Sequence, residues 1–90
     1  SCTVYIRGEN WSSLPNADEL WIEVHYYDGT SAERAVVKST DTLSANDTWT
    51  DFTVNFTLNS DSPCYCYVYL GKFEADSTHR IYVDIEPVWS

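Results

Sequence analysis

Two stretches of this chain carry side chains able to grip a ligand at two-residue spacing. In ELWIEVHYY, residues 19–27, Trp21, Glu23, His25 and Tyr27 alternate with Leu20, Ile22, Val24 and Tyr26. In CYCYVYLG, residues 64–71, Tyr65, Tyr67 and Tyr69 alternate with Cys64, Cys66, Val68 and Leu70. A strand turns successive side chains to opposite faces, so each stretch sets an aliphatic or thiol stripe against an aromatic, hydrogen-bonding one. Flat rings stack on the apolar C–H face of a pyranose, while carboxylate and imidazole groups reach its rim of hydroxyls. The chemistry on offer is non-covalent: Trp21, Tyr27, Tyr65, Tyr67 and Tyr69 as stackers, Trp11 from a loop as a further ring, Glu23 and His25 as hydrogen-bond partners. The plain alternative is a Tyr-rich sheet surface packed on a loop or a neighbouring domain, because Tyr is a good strand former.

Bond-breaking chemistry has weaker support. Glycoside hydrolysis needs two carboxylates facing each other across a cleft, one with a raised pKa. Here the acids fall in turns and on solvent faces, and no nucleophile elbow, zinc-protease helix or phosphate loop is present. The expectation is a protein that binds and does not catalyse. The three cysteines leave at least one thiol unpaired. Cys64 and Cys66 share a strand face, a poor geometry for bonding each other, whereas Cys2 can meet either across neighbouring strands. Three buried thiols acting as small apolar residues is the simpler reading. A zinc site would need Cys2, Cys64 and Cys66 to converge with His25 or His79, without the paired ligand knuckles that such sites show. No cofactor is required.

Ninety residues make one domain, 1–90, with one modest core. A hydrophobic content of 43% and an aromatic content of 16% say that the chain folds despite its acidity. A net charge of -9 repels phosphate backbones and anionic membranes, so nucleic acid and membrane are excluded as partners. Polyanionic sugars are disfavoured on the same ground, and neutral polysaccharides are not. No apolar stretch approaches membrane length.

Alternation dominates the elements that must position these rings. CTVYIR turns Cys2, Val4 and Ile6 inward, and GENWSSLPNAD follows as a loop. The 19–27 strand leads through an Asp28-Gly29 turn to a third strand around ERAVVKS. TWTDFTVNFTL places Phe52, Val54, Phe56 and Leu58 inward; CYCYVYLG is the fifth strand; HRIYVDIEPVW closes the chain with Ile81, Val83 and Ile85 inward. Trp49 and Trp89 are expected as lids over the ends of the core. Six strands with no helix predict an all-β fold, an antiparallel two-sheet β-sandwich. An immunoglobulin-type domain fails on its core Trp, because Trp11 lies in a loop. Three glycosylation sequons, at Asn10, Asn46 and Asn55, matter only in a eukaryotic secretory pathway.

The second half of the chain resembles the jelly-roll carbohydrate-binding modules of families four, nine and twenty-two. The resemblance lies in WTDFTVNFTL, with Trp49, Phe52, Val54 and Phe56, and in Ile81, Tyr82, Val83, Asp84 and Ile85 of the closing run. ELWIEVHYYDG is similar to an earlier strand of those modules. The resemblance implies a jelly-roll-like sandwich that binds neutral plant polysaccharide, such as cellulose, β-glucan, xyloglucan or glucomannan. It also implies an extracellular setting, as a monomeric module within a bacterial cellulosomal glycoside hydrolase. Asp84 matches a position that binds a structural calcium in those modules, and Glu9 is its candidate acidic partner.

Overall fold

The computed structural model describes residues 1–29, 34–58, 62–72 and 78–90. Within them the strands are β1 (Cys2–Glu9), β2 (Leu20–Tyr26), β3 (Ala35–Lys38), β4 (Thr50–Val54), β5 (Tyr65–Leu70), β6 (Arg80–Val83) and β7 (Val88–Trp89). One sheet has the order β4-β1-β6, with β7 also pairing β1; the other has the order β3-β2-β5. Every ladder between named strands is antiparallel. The fold is an antiparallel two-sheet β-sandwich, and the chain changes sheet between β1 and β2 and at each step from β3 to β6.

Strict alternation in β1 and β2 builds the core. Cys2, Val4 and Ile6 from β1 meet Leu20, Ile22 and Val24 from β2, with Phe52 and Val54 of β4 and Leu43 between them. Each such aliphatic side chain contributes roughly 1.5–3 kcal/mol by leaving water. Ser39 extends the β2–β3 ladder as a buried polar residue: its hydroxyl accepts from the Ile22 N–H at 2.9 Å, and its own N–H donates to the Ile22 carbonyl at 2.9 Å.

Trp11 is buried, not a loop ring offered to a ligand. Its indole N–H donates to the Arg80 carbonyl at 2.9 Å, and its ring lies 4.6 Å from that of His79. Asn46 holds its backbone from both sides, accepting from the Trp11 N–H at 3.1 Å and donating to its carbonyl at 2.9 Å. Gly8 makes room for it. A β-carbon there would stand 3.1 Å from both Leu43 Cδ1 and Trp11 Cδ1.

The closing run is two strands rather than one. Asp84 Oδ1 accepts from the Glu86 N–H at 3.1 Å, an Asx turn, and Pro87 brings no N–H to continue a ladder. Ile85, expected inside, falls in this bend and is 90% exposed. The pairing of β4 stops at Val54, which leaves Phe56 half-buried and Leu58 exposed. Trp49 covers no core end: it is 51% exposed, one residue ahead of β4. Trp89 is also exposed, edge-on to Phe56 at 6.4 Å. Gly29 takes φ 85°, as the Asp28-Gly29 turn requires. The remainder of that turn, the start of NSDSP and most of KFEADST lie outside the described residues.

Candidate functional site

The register of β2 on β5 gathers the expected rings. Trp21 pairs with Tyr69, Glu23 with Tyr67 and His25 with Tyr65, while Leu20, Ile22 and Val24 pair with Leu70, Val68 and Cys66 on the inner side. Paired residues of an antiparallel ladder share a face, so the aromatic stripes of both strands stand on the outer surface of one sheet. Tyr65, Tyr67 and Tyr69 are 41%, 43% and 38% exposed. The inner stripe of β5 is less completely covered than alternation implies, since Val68 remains 39% exposed.

Two of these rings stand upright and do not lie flat. Trp21 and Tyr69 are stacked, with centroids 5.3 Å apart and planes 11° from parallel. That separation is close to the ~4.8 Å spacing of neighbouring strands, so each ring faces its neighbour across the ladder and turns an edge to solvent. Lys38 approaches from β3, on the other side of β2, and its ammonium lies 4.3 Å from the Trp21 ring centroid. The indole is braced from both sides, which makes it a support for the phenol stripe more than a free stacking platform. Arg34 lies over the Tyr65 ring at 4.3 Å, and Tyr67 meets His25 at 4.8 Å and Tyr69 at 6.3 Å. Aromatic pairs contribute roughly 0.5–1.5 kcal/mol each beyond area burial, so the row is held in place before any ligand arrives.

Glu23 ties the β2 stripe together. The Trp21 indole N–H donates to its Oε1 at 2.9 Å, and His25 Nε2 lies 3.0 Å from its Oε2. Those hydrogen bonds, Trp21 first and His25 next, hold its carboxyl below the usual range by favouring the charged form. Both oxygens already have partners, so Glu23 orients the rings around it. Tyr27 sits just past the end of β2 and is exposed at the rim of the face. Trp11 stands apart, buried against β1 and Arg80.

The calcium pair does not come together. Glu9 stands opposite Arg80 and accepts from the Tyr82 hydroxyl at 3.0 Å, whereas the Asp84 N–H donates to the Tyr5 carbonyl. From Tyr5 to Glu9 is roughly 13 Å of strand at about 3.3 Å per residue. A zinc cluster fails by parity, since His25 is on the outer face and Cys66 on the inner, while His79 packs on Trp11. Among the described residues no group of three or more His, Cys, Asp or Glu converges on a metal position. The three cysteines are free, and they are not all buried: Cys2 is sealed in the core, whereas Cys64 and Cys66 are half-buried. Burial pushes the Cys66 thiol up to about 12 and raises that of Cys2 as well. A cavity of about 490 Å³ lined by Phe56, Leu58, Cys64 and Trp89 opens beside the chain ends and shares no residue with the aromatic face.

Sequence reasoning missed Arg34 and Lys38 as braces of the ring row. The signal was available in part, because a cation on the strand next to an aromatic stripe sits over a ring wherever register brings the two level; here Lys38 pairs with Glu23. Compared with protein families, curated proteins and solved structures, the chain matches none of them.

Proposed function

We propose that this domain is a non-catalytic carbohydrate-binding module that holds neutral β-linked plant polysaccharide on the outer face of the β3-β2-β5 sheet. The reading is supported above all by the β2–β5 register, which brings Trp21, Glu23, His25, Tyr65, Tyr67 and Tyr69 to one exposed surface. The three tyrosines supply ring surface and hydroxyls, and Trp21, Lys38 and Glu23 hold them in place. Cellulose, β-glucan, xyloglucan and glucomannan have the required chemistry, and a protein of net charge -9 does not repel them. Two or three rings at ~1 kcal/mol each give affinities of order micromolar or weaker. Attachment to a secreted parent glycoside hydrolase would raise the effective strength through avidity. Such binding needs no cofactor.

Affinity electrophoresis in gels containing each glycan tests this. The expected result is retarded migration that Tyr67→Ala removes while the variant still unfolds in a single cooperative transition.

A second reading, a structural or adhesion module that docks another protein domain, is favoured by two observations. Both faces of the Trp21 ring are already taken, and Val36 stands exposed on the same outer face, paired with His25. Surfaces rich in Tyr, Trp and Arg also suit protein anchors. That reading expects unchanged mobility on every glycan.

A further inference from the structure

The opposite surface of the sandwich carries its own ring cluster. Arg7 lies in the middle of it, on the outer side of β1. Tyr82 of β6 pairs with Arg7, and Trp49 continues the β1–β4 register to the same level, since Ile6 pairs with Thr50. The guanidinium carbon is 4.4 Å from the Tyr82 ring centroid and 5.6 Å from that of Trp49. Asp47 stands 3.8 Å from Arg7 Nη1, and the Tyr82 hydroxyl donates to Glu9 at 3.0 Å. Tyr5, further along the same face of β1, is also exposed.

Two physical points limit what such a surface takes. A cation between two rings fixes both, and the half-exposed Trp49 still has indole surface left for a ligand. The local charge is also negative, because Glu9, Asp47 and Asp51 outnumber Arg7 and Arg80. Rings beside carboxylate acceptors and a guanidinium donor suit an uncharged polyhydroxyl ligand better than an anionic sugar; the exposed aliphatics of this side, Val88 opposite Thr3 and Ile85 after Asp84, lie toward the other end of β1. The geometry points to a second neutral-glycan site, made by Trp49 and Tyr82 around Arg7, on the outer face of the β4-β1-β6 sheet. The inference rests on the sugar-binding reading of the first face and extends it: two sites back to back let one module bridge two polysaccharide chains.

The indole N–H resonances of Trp49 and Trp21 report on the two faces separately in ¹H–¹⁵N spectra of the whole domain. Cellohexaose, a xyloglucan heptasaccharide and mannohexaose are the probes. The expected result is that at least one of them moves both resonances, and that the Trp49 shift persists in Tyr67→Ala. Arg7→Ala should weaken the binding read at Trp49 roughly fivefold through loss of the brace between the rings, and leave that read at Trp21 unchanged. Movement of Trp21 alone overturns the second site and leaves the first. Movement of Trp49 alone, unaffected by Tyr67→Ala, supports the second site and removes the first. No movement with any probe overturns both. Retained dispersion of the variant spectra shows that they fold.

Discussion

Trp21 stacks on Tyr69 across the β2–β5 ladder, with ring centroids 5.3 Å apart and planes 11° from parallel. The pair links the strand that anchors the core to the strand that carries the phenol stripe. A double-mutant cycle with Trp21→Ala and Tyr69→Ala should give a coupling of about 0.5–1.5 kcal/mol in urea unfolding. Additive effects would mean that the two rings stand together without supporting each other.

Glu23 should make stability depend on acid. Its folded carboxyl titrates below the ordinary range because Trp21 and His25 hydrogen-bond the charged form. The resulting stabilisation is fully present above the unfolded value of about 4.3 and is lost as pH falls through the folded one. Thermal unfolding of the wild type and Glu23→Gln should therefore differ most at neutral pH and converge in acid. A difference that does not change with pH would assign the effect to packing.

Trp11 and Gly8 form a structural plug, and their variants should separate stability from binding. Trp11→Ala is expected to cost about 3–5 kcal/mol, as for other buried aromatics. Gly8→Ala should cost about 1–3 kcal/mol, because the new methyl pushes on Leu43 and Trp11. Both are measured by chemical unfolding. Wherever the variants remain folded, glycan retardation should be unchanged; its loss would return Trp11 to the binding face.

The thiols should differ in reactivity. With its thiol pushed up to about 12, Cys66 offers almost no thiolate at pH 8, and Cys2 is fully buried. An aromatic disulfide reagent should label Cys64 first, at the cavity edge, and reach the other two only on unfolding; peptide mapping reads the order. The raised Cys66 value also sets a sign. Its contribution to stability is complete below the unfolded thiol value of about 8.5 and is lost as pH rises toward about 12.

Much of the architecture was legible because β1 and β2 alternate without a fault: Cys2, Val4, Ile6, Leu20, Ile22 and Val24 are all buried, as their two-residue period demands. The inner stripe of β5 was legible only in parity, since a strand with one pairing neighbour leaves Val68 partly uncovered. Ile85 was misplaced because an Asx turn at Asp84 breaks the period, and alternation carries no signal for a bend. Trp49 and Trp11 exchanged roles for a related reason. Burial of a loop ring depends on what packs over it, here Gly8, Leu43 and His79, and those neighbours are distant in sequence. The placing of rings on one face was legible from pleat parity, whereas the stacking of Trp21 on Tyr69 depends on strand register and on Lys38 of the next strand.

The most direct measurement is calorimetric titration of β-glucan, xyloglucan and glucomannan oligosaccharides into the wild type and Tyr67→Ala/Tyr69→Ala. Binding of order micromolar or weaker to at least one of them is expected, reduced about tenfold or more when two rings are removed. Equal affinity in wild type and variant, or no heat with any of these glycans, would contradict the assignment of sugar binding to the β3-β2-β5 face.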